Sequence, residues 1–347
     1  MHIDVTLLEK DLRKAGELAR EAEQVGHAAI WATETGCDPF LQAYAALAAT
    51  ERATVGTAIA VAFARTPMTV AYSAWNLAQA SGGRFVLGLG TQVKPHVERR
   101  YSMPWGKPVA QMREFVLATR AVWESWRTGE PLSHEGEYYT HTLMSPFWAP
   151  APQDATIPVH LAAVGPRMVE MAGEVADGVL LHTFTNAAYL DTVTWPSLAK
   201  GLASSGRTGQ RLEVSLPLFM VMGDTEDEIE ERRRSTAKQL AFYASTPSYR
   251  PVLEAVGYGD LQPELTALSK RRAWDEMTSL VSREVLDLFA ITGRPEEMAG
   301  LARAHLGDRV TRVTSYSGWP VTDRDRLTEI LAGFADAADT TDRETIR

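Results

Sequence analysis

Short apolar runs alternate with amphipathic stretches from the first residues onward, the texture of parallel βα units. Residues 3–8 predict a strand. In 11–25 the apolar Leu12, Ala15, Leu18, Ala19 and Ala22 recur at helical spacing, and Gly26 then stops the helix. Residues 27–32 predict strand two; Asp38 and Pro39 follow as an N-cap and a first-turn proline. Strand three spans 53–63, Thr66 and Pro67 open the next helix, and strand four covers 84–89.

The second half repeats this rhythm more loosely. A helix over 108–126 leads into a stretch rich in Pro, Gly and aromatics, about 128–157, expected as a long loop or small hairpin over a barrel mouth. Strands five, six and seven fall at 159–162, 178–181 and 213–221. A mostly helical insertion, about 223–288, comes next, and its charged start at 224–234 reads as a solvated helix face. Pro295, Glu296 and Glu297 begin another helix, strand eight covers 309–315, and a last helix runs over 322–337. Eight strands with eight following helices predict an α/β fold, a (β/α)8 TIM barrel with insertions after strands 4 and 7, as one domain over 1–347. The competitor is a doubly wound open sheet. Against it, no dinucleotide fingerprint follows strand one, and the Gly88, Gly90 pair has Val93 where a third glycine belongs.

Charge narrows the partners. The 347 residues carry 35 Lys plus Arg against 44 Asp plus Glu, a net charge of -9, which offers nucleic acid or an anionic membrane no general attraction. The single cysteine, Cys37, cannot form an intrachain disulfide, and no apolar run near Met1 suits a signal peptide, so a cytoplasmic location is expected. No metal site is expected. His2 and Asp4 resemble a His-x-Asp ligand pair, but they lie at the start of strand one, whereas barrel chemistry gathers at the carboxyl ends. No lysine ends strand six, so Schiff-base chemistry loses ground.

The strand ends hold two distinctive runs. Ala162 to Met168 passes from a strand into a helix with small residues and one basic side chain, Arg167. Such a turn either cradles phosphate on its free amides or is an ordinary connection. In Gly82 to Thr91, glycines alternate at a strand end. Such glycines let a flat ligand or another backbone approach closely; barrel packing accounts for Gly88 and leaves Gly90, Thr91 and Gln92 unexplained.

The runs Ser81-Gly82-Gly83-Arg84-Phe85-Val86-Leu87-Gly88-Leu89-Gly90-Thr91, Leu161 to Arg167 with Ala176-Asp177-Gly178-Val179, and Ile291 to Glu297 together resemble the bacterial luciferase-like superfamily. Within it, the chain is most similar to the branch that uses coenzyme F420, a deazaflavin with a phosphate and an oligoglutamate tail. The resemblance implies a TIM barrel, a homodimer, and a cofactor at the carboxyl face. It places a non-prolyl cis peptide between Ala58 and Ile59, in a bulge backing the deazaflavin ring, with Thr57, Ala58 and Ile59 as cofactor-binding residues. Glu34 stands where F420 members carry an aspartate facing the ring, as a candidate for cofactor binding and catalysis; without the resemblance it reads equally as a solvated loop carboxylate. Thr91 and Gln92 would touch the ring or its ribityl chain, and Ala163, Val164, Gly165, Pro166, Arg167 and Met168 would meet the phosphate region.

One departure matters. The sugar-phosphate dehydrogenases of the family have a glutamate proton donor after Gly-Thr-Gly, where this chain reads Gly90-Thr91-Gln92, and an amide cannot deliver a proton as an acid can. His96 and His182, both near strand ends, are the replacement candidates, since imidazole titrates close to neutral pH; for either one singly the blander reading, a hydrogen-bonded structural histidine, comes first. Lys94, Arg99 and Arg100 form a basic cluster that either attracts the glutamate tail or is plain surface charge. Trp105, Phe147, Trp148, Phe184, Tyr243 and Tyr249 are candidates for an apolar substrate wall. The expectation is an F420-dependent oxidoreductase passing a hydride between the deazaflavin C5 and a small-molecule enone, imine or alcohol. The alternatives are an FMN-dependent luciferase-like monooxygenase and a non-catalytic F420-binding protein.

Overall fold

A computed structural model describes residues 1–335. The chain opens with β1 (His2–Leu7), α1 (Leu12–Val25), β2 (Ala29–Ala32), α2 (Pro39–Ala49), β3 (Thr54–Thr57) and β4 (Ala60–Val61). There follow α3 (Pro67–Ser81), β5 (Phe85–Gly90), α4 (Lys94–Arg99), α5 (Pro108–Thr128), β6 (His134–Glu135), β7 (Thr140–His141) and β8 (Val159–Ala162). Next are α6 (Pro166–Val175), β9 (Gly178–Leu180), α7 (Ala187–Tyr189), α8 (Trp195–Ser204), β10 (Glu213–Met222) and α9 (Glu226–Ala244). The last elements are α10 (Arg250–Glu254), α11 (Leu261–Lys270), α12 (Trp274–Ser279), α13 (Arg283–Asp287), β11 (Ala290–Gly293), α14 (Met298–Leu306), β12 (Arg312–Ser315) and α15 (Arg324–Ala332). The fold is a (β/α)8 TIM barrel. The insertion after strand four contains the β6–β7 antiparallel hairpin, and the one after strand seven is the helical run α9 to α13.

Capping explains why the early helices begin and end where the sequence predicts. Asp11 accepts from the backbone of Arg13 at 2.9 Å, and Gly26 closes α1 in the left-handed region at φ 104°. Asp38 caps α2 in the same way, with Pro39 in its first turn. Thr66 and Thr69 form a reciprocal capping box on α3.

The chain divides into two compact units. One comprises Val5–Leu180 and Ser197–Glu213 and is called the Glu34 unit below. In it the end of β1, β2, β3, β5, β8 and β9 pair in that order, all parallel, with β4 also on β5. The other, the His182 unit, comprises Met1–Asp4, Leu181–Pro196 and the residues from Val214 on. There β10 pairs with β11 and β12, and β12 with the start of β1. Its core is aromatic and aliphatic, including Phe184, Phe219, Leu240, Leu265 and Phe289.

Three sequence expectations are corrected. The apolar run 53–63 is two strands, because five residues from Gly56 to Ala60 face four from Val86 to Leu89, which makes a bulge. Strand eight begins at Arg312 instead of 309. Strand β11, which extends along the far half of β10, was not anticipated. The last helix ends at Ala332, and residues 336 and 337 of its predicted span lie outside the described residues.

Candidate active site

In the Glu34 unit, Glu34 follows β2 and its carboxylate is almost wholly engaged. Oε2 accepts from the Val61 amide and from Arg65 Nη1, both at 2.7 Å, and Oε1 accepts from the Tyr101 hydroxyl at 2.7 Å. The side chains of Glu34 and Arg65 are only 8% and 18% exposed, so solvent screens the pair weakly. Burial alone would lower the Arg65 pKa, but Glu34 and then Asp38, at 3.0 Å, raise it. Burial, reinforced by Glu34, pushes the Tyr101 hydroxyl up. An ionised carboxylate has about four acceptor positions. With three donors in place, Glu34 has room for one more and otherwise anchors the start of β4 through Val61. The sequence reading missed Arg65 and Tyr101 as partners; Arg65 closes the strand-three end, which was the available signal, whereas nothing local marks Tyr101.

The expected cis peptide joins Ala58 to Ile59. Residues 55–57 and 60–63 are buried, while Ala58 and Ile59 are partly exposed, so the bulge presents two apolar side chains. Thr57 is fully buried, and its hydroxyl donates to the Gly88 carbonyl at 2.6 Å and accepts from the Gly88 amide at 3.0 Å. Thr57 therefore ties β3 to β5 with its own polar capacity. A Cβ on Gly88 would lie 1.7 Å from the Thr57 carbonyl oxygen. Packing also accounts for Gly90, whose missing Cβ makes room for the Ile59 side chain and borders Ala162. The ends of β3, β5 and β8 thus converge on Ile59. At the end of β5, Thr91 and Gln92 are partly exposed, and Gln92 adopts φ 60°, a left-handed conformation uncommon outside glycine. His96 is exposed in the short α4, where Lys94 pairs with Glu98 at 3.7 Å and Arg100 lies over the Tyr101 ring.

Beyond β8, Ala163 is buried and Gly165 is the N-cap of α6. No side chain caps this helix, and a Cβ on Gly165 would meet nothing within 4 Å. The helix start therefore keeps unsatisfied amides beside open space, with exposed Arg167 in its first turn.

His182, in the other unit, lies among aromatic rings. Tyr249 stacks on it with centroids 5.0 Å apart, Tyr243 meets it edge-on at 4.8 Å, and Phe184 packs on Tyr249 at 5.3 Å. Burial pushes its pKa down to about 4. The ring is therefore neutral at physiological pH, whereas the sequence reading rested on an imidazole that titrates close to neutrality. The six candidate wall aromatics separate: Phe184, Tyr243 and Tyr249 gather at His182, Trp105 packs on Phe63 at 5.6 Å, and Phe147 and Trp148 are exposed.

The family model for luciferase-like monooxygenases matches residues 2–308. This chain belongs to that family. Among luciferase-like relatives, an uncharacterized protein of Mycobacterium tuberculosis is 47% identical over 303 residues, covering 87% of this chain and 89% of its own. A putative coenzyme F420-dependent oxidoreductase of Mycobacterium tuberculosis is 30% identical over 301 residues, 80% of this chain and 83% of its own. The coenzyme F420-dependent tetrahydromethanopterin reductase of Methanopyrus kandleri shares the fold, with a TM-score of 0.74 at 21% identity over 96% of this chain and 97% of that one.

The residues of the Glu34 unit fit an F420-type group on two counts. Ala58 and Ile59 offer an apolar face of the kind a flat ring needs, and the open, uncapped start of α6 with Arg167 suits a phosphate. Among the described residues, no helix is long and apolar enough to cross a membrane.

Proposed function

We propose that this chain is a coenzyme F420-dependent oxidoreductase acting on a small organic enone, imine or alcohol. When bound, the deazaflavin supplies the hydride donor or acceptor at C5. The observation that carries this reading is the exposure of Ala58 and Ile59 alone within the otherwise buried 55–63 segment. The likeness to a relative named as a putative F420-dependent oxidoreductase supports the same cofactor.

On this reading Ala58 and Ile59 form the floor under the ring, and Thr91 and Gln92 border the ring or its ribityl chain. Thr57 keeps the floor in place through Gly88. Glu34 fixes the same segment through Val61 and accepts one ring hydrogen bond with its remaining capacity. Ala163 to Met168 take the phosphate: the α6 amides and Arg167 supply donors, and Gly165 leaves the approach open. Lys94, Arg99 and Arg100 attract the glutamate tail. His96, exposed on α4, is the proton-exchanging candidate in this unit. The 347 residues work as one catalytic domain, in a cytoplasmic homodimer whose mass sedimentation of the apo protein measures.

Fluorescence titration with F420 and with FMN tests the cofactor. Quenching by F420 is expected; tight FMN binding with no F420 response identifies a flavin monooxygenase instead. A panel of enones, imines and alcohols then separates an oxidoreductase from a non-catalytic F420-binding protein, which binds F420 and turns over none of them.

A further inference from the structure

His182 is held in a single tautomer. Its Nδ1 accepts the Phe184 backbone N–H at 3.0 Å, so the neutral ring carries its proton on Nε2. That N–H has no protein partner among the described residues. The next residue, Thr183, is only 4% exposed, and its hydroxyl also lacks a partner among them. Around the imidazole stand Tyr249, stacked at 27°, and Tyr243 of α9, whose hydroxyl pairs with that of Tyr316 at 2.6 Å. Burial raises both Tyr243 and Tyr249, and Tyr316 raises Tyr243 further, so these phenols stay neutral. Burial alone acts on His182, with no charge contributing. The result is an uncharged aromatic box with one fixed N–H donor; His182 and Tyr316 lie just past the carboxyl-terminal ends of β9 and β12, on the catalytic face of this fold, and Phe219 of β10 packs on Tyr316.

Resting on the oxidoreductase reading, we infer that this box binds the substrate and selects an uncharged ketone or its alcohol, whose oxygen accepts from His182 Nε2–H while its hydrocarbon part packs on the tyrosine rings. The tautomer does the selecting. A protonated imine or an ammonium group is itself a donor and would confront another donor. Turning Nε2 into an acceptor would place the ring proton on Nδ1, against the Phe184 N–H. A carboxylate or phosphate would accept from Nε2 but would bury its charge where none of the described residues contributes a charge to the imidazole. Protonated imines and anionic sugars are thereby disfavoured.

The test uses the full apo protein, labelled with 15N-histidine, and cyclohexanone as probe, with cyclohexylamine and cyclohexanecarboxylate as charged counterparts. Nitrogen shifts should report the Nε2–H form at pH 7, and the His182 resonance, assigned by its loss in His182→Gln, should move saturably with cyclohexanone alone. Glutamine keeps an N–H donor near the Nε2 position, so His182→Gln should bind cyclohexanone within about threefold of the parent, whereas His182→Phe should lose about tenfold, the scale of one hydrogen bond. An Nδ1–H tautomer, a His182 resonance unmoved by saturating cyclohexanone, or tighter binding of the amine through its attraction to aromatic faces would overturn the proposal. F420 quenching in the same samples separates the two readings. Quenching without a ketone response sinks the box, and a ketone response without quenching sinks the oxidoreductase assignment.

Discussion

Glu34 and Arg65 meet at 2.7 Å, and the same carboxylate oxygen also holds the Val61 amide. One substitution therefore removes an ion pair and a strand anchor together. Glu34→Ala should destabilise the protein by about 3 kcal/mol, because it leaves a weakly screened guanidinium with only the more exposed Asp38 as counter-charge. Glu34→Gln, which keeps an acceptor, should lose about half as much. Urea unfolding measures both, and a loss below about 1 kcal/mol in the alanine variant would show that the pair behaves as a surface one.

Gly88→Ala has no room at all. Its methyl would overlap the Thr57 carbonyl oxygen, which belongs to the backbone and cannot swing aside. The strands must separate, with an expected loss of about 3 kcal/mol or more. Thr57→Val, which removes the hydroxyl shared with Gly88 and keeps the shape, should be milder, about 1 to 3 kcal/mol. Equal losses in the two variants would contradict the steric account.

His182 makes stability depend on pH. Its pKa falls from the ordinary 6.5 to about 4 on folding, so between those values the unfolded chain takes up a proton that the native state refuses. Stability should decrease as the pH drops through that window, by up to about 3 kcal/mol, and level off below it. Replacing His182 with Phe removes this contribution, so the gap between variant and parent in urea midpoints should narrow from pH 7 to pH 4.5. A gap independent of pH would mean that the imidazole is as easily protonated folded as unfolded.

Arg167→Ala isolates the phosphate. It should weaken F420 binding about tenfold, in keeping with the loss of one charge-assisted contact, while leaving the phosphate-free ribityl deazaflavin unaffected. Fluorescence titration with the two compounds gives the answer, and an equal loss for both would move Arg167 away from the phosphate.

Strands β2, β5, β8 and β9 were legible because parallel strands covered on both faces are short apolar runs between capped helices, and Asp11, Asp38 and Thr66 mark those helices directly. Boundaries failed where tertiary pairing decides them. Nothing in the apolar 53–63 run announces a bulge; the family resemblance located it. The four-residue β11 exists only because β10 is long enough to offer it a neighbour. The positions of Glu34 and His182 at strand ends were legible, but not their surroundings. Glu34 is engaged by Tyr101 from 67 residues away, and His182 is enclosed by tyrosines of the helical insertion, contacts that no local pattern encodes. Barrel packing by sequence alone leaves Gly90 unexplained; in the fold its missing Cβ makes room for the Ile59 side chain.

Asp4 and Arg312 form a two-pronged ion pair, 2.7 and 2.9 Å, between β1 and β12, with Asp4 wholly buried. Synthesis separates these partners by 308 residues, roughly 15 to 60 s at about 5 to 20 residues per second. Throughout that interval the Asp4 carboxylate stays hydrated, because burying it before Arg312 arrives would strand a charge away from that guanidinium. The His182 unit must therefore mature after the ribosome has passed codon 312, and a messenger cut short before that point yields a polypeptide with its opening strand half unsatisfied, a natural target for chaperones and proteases.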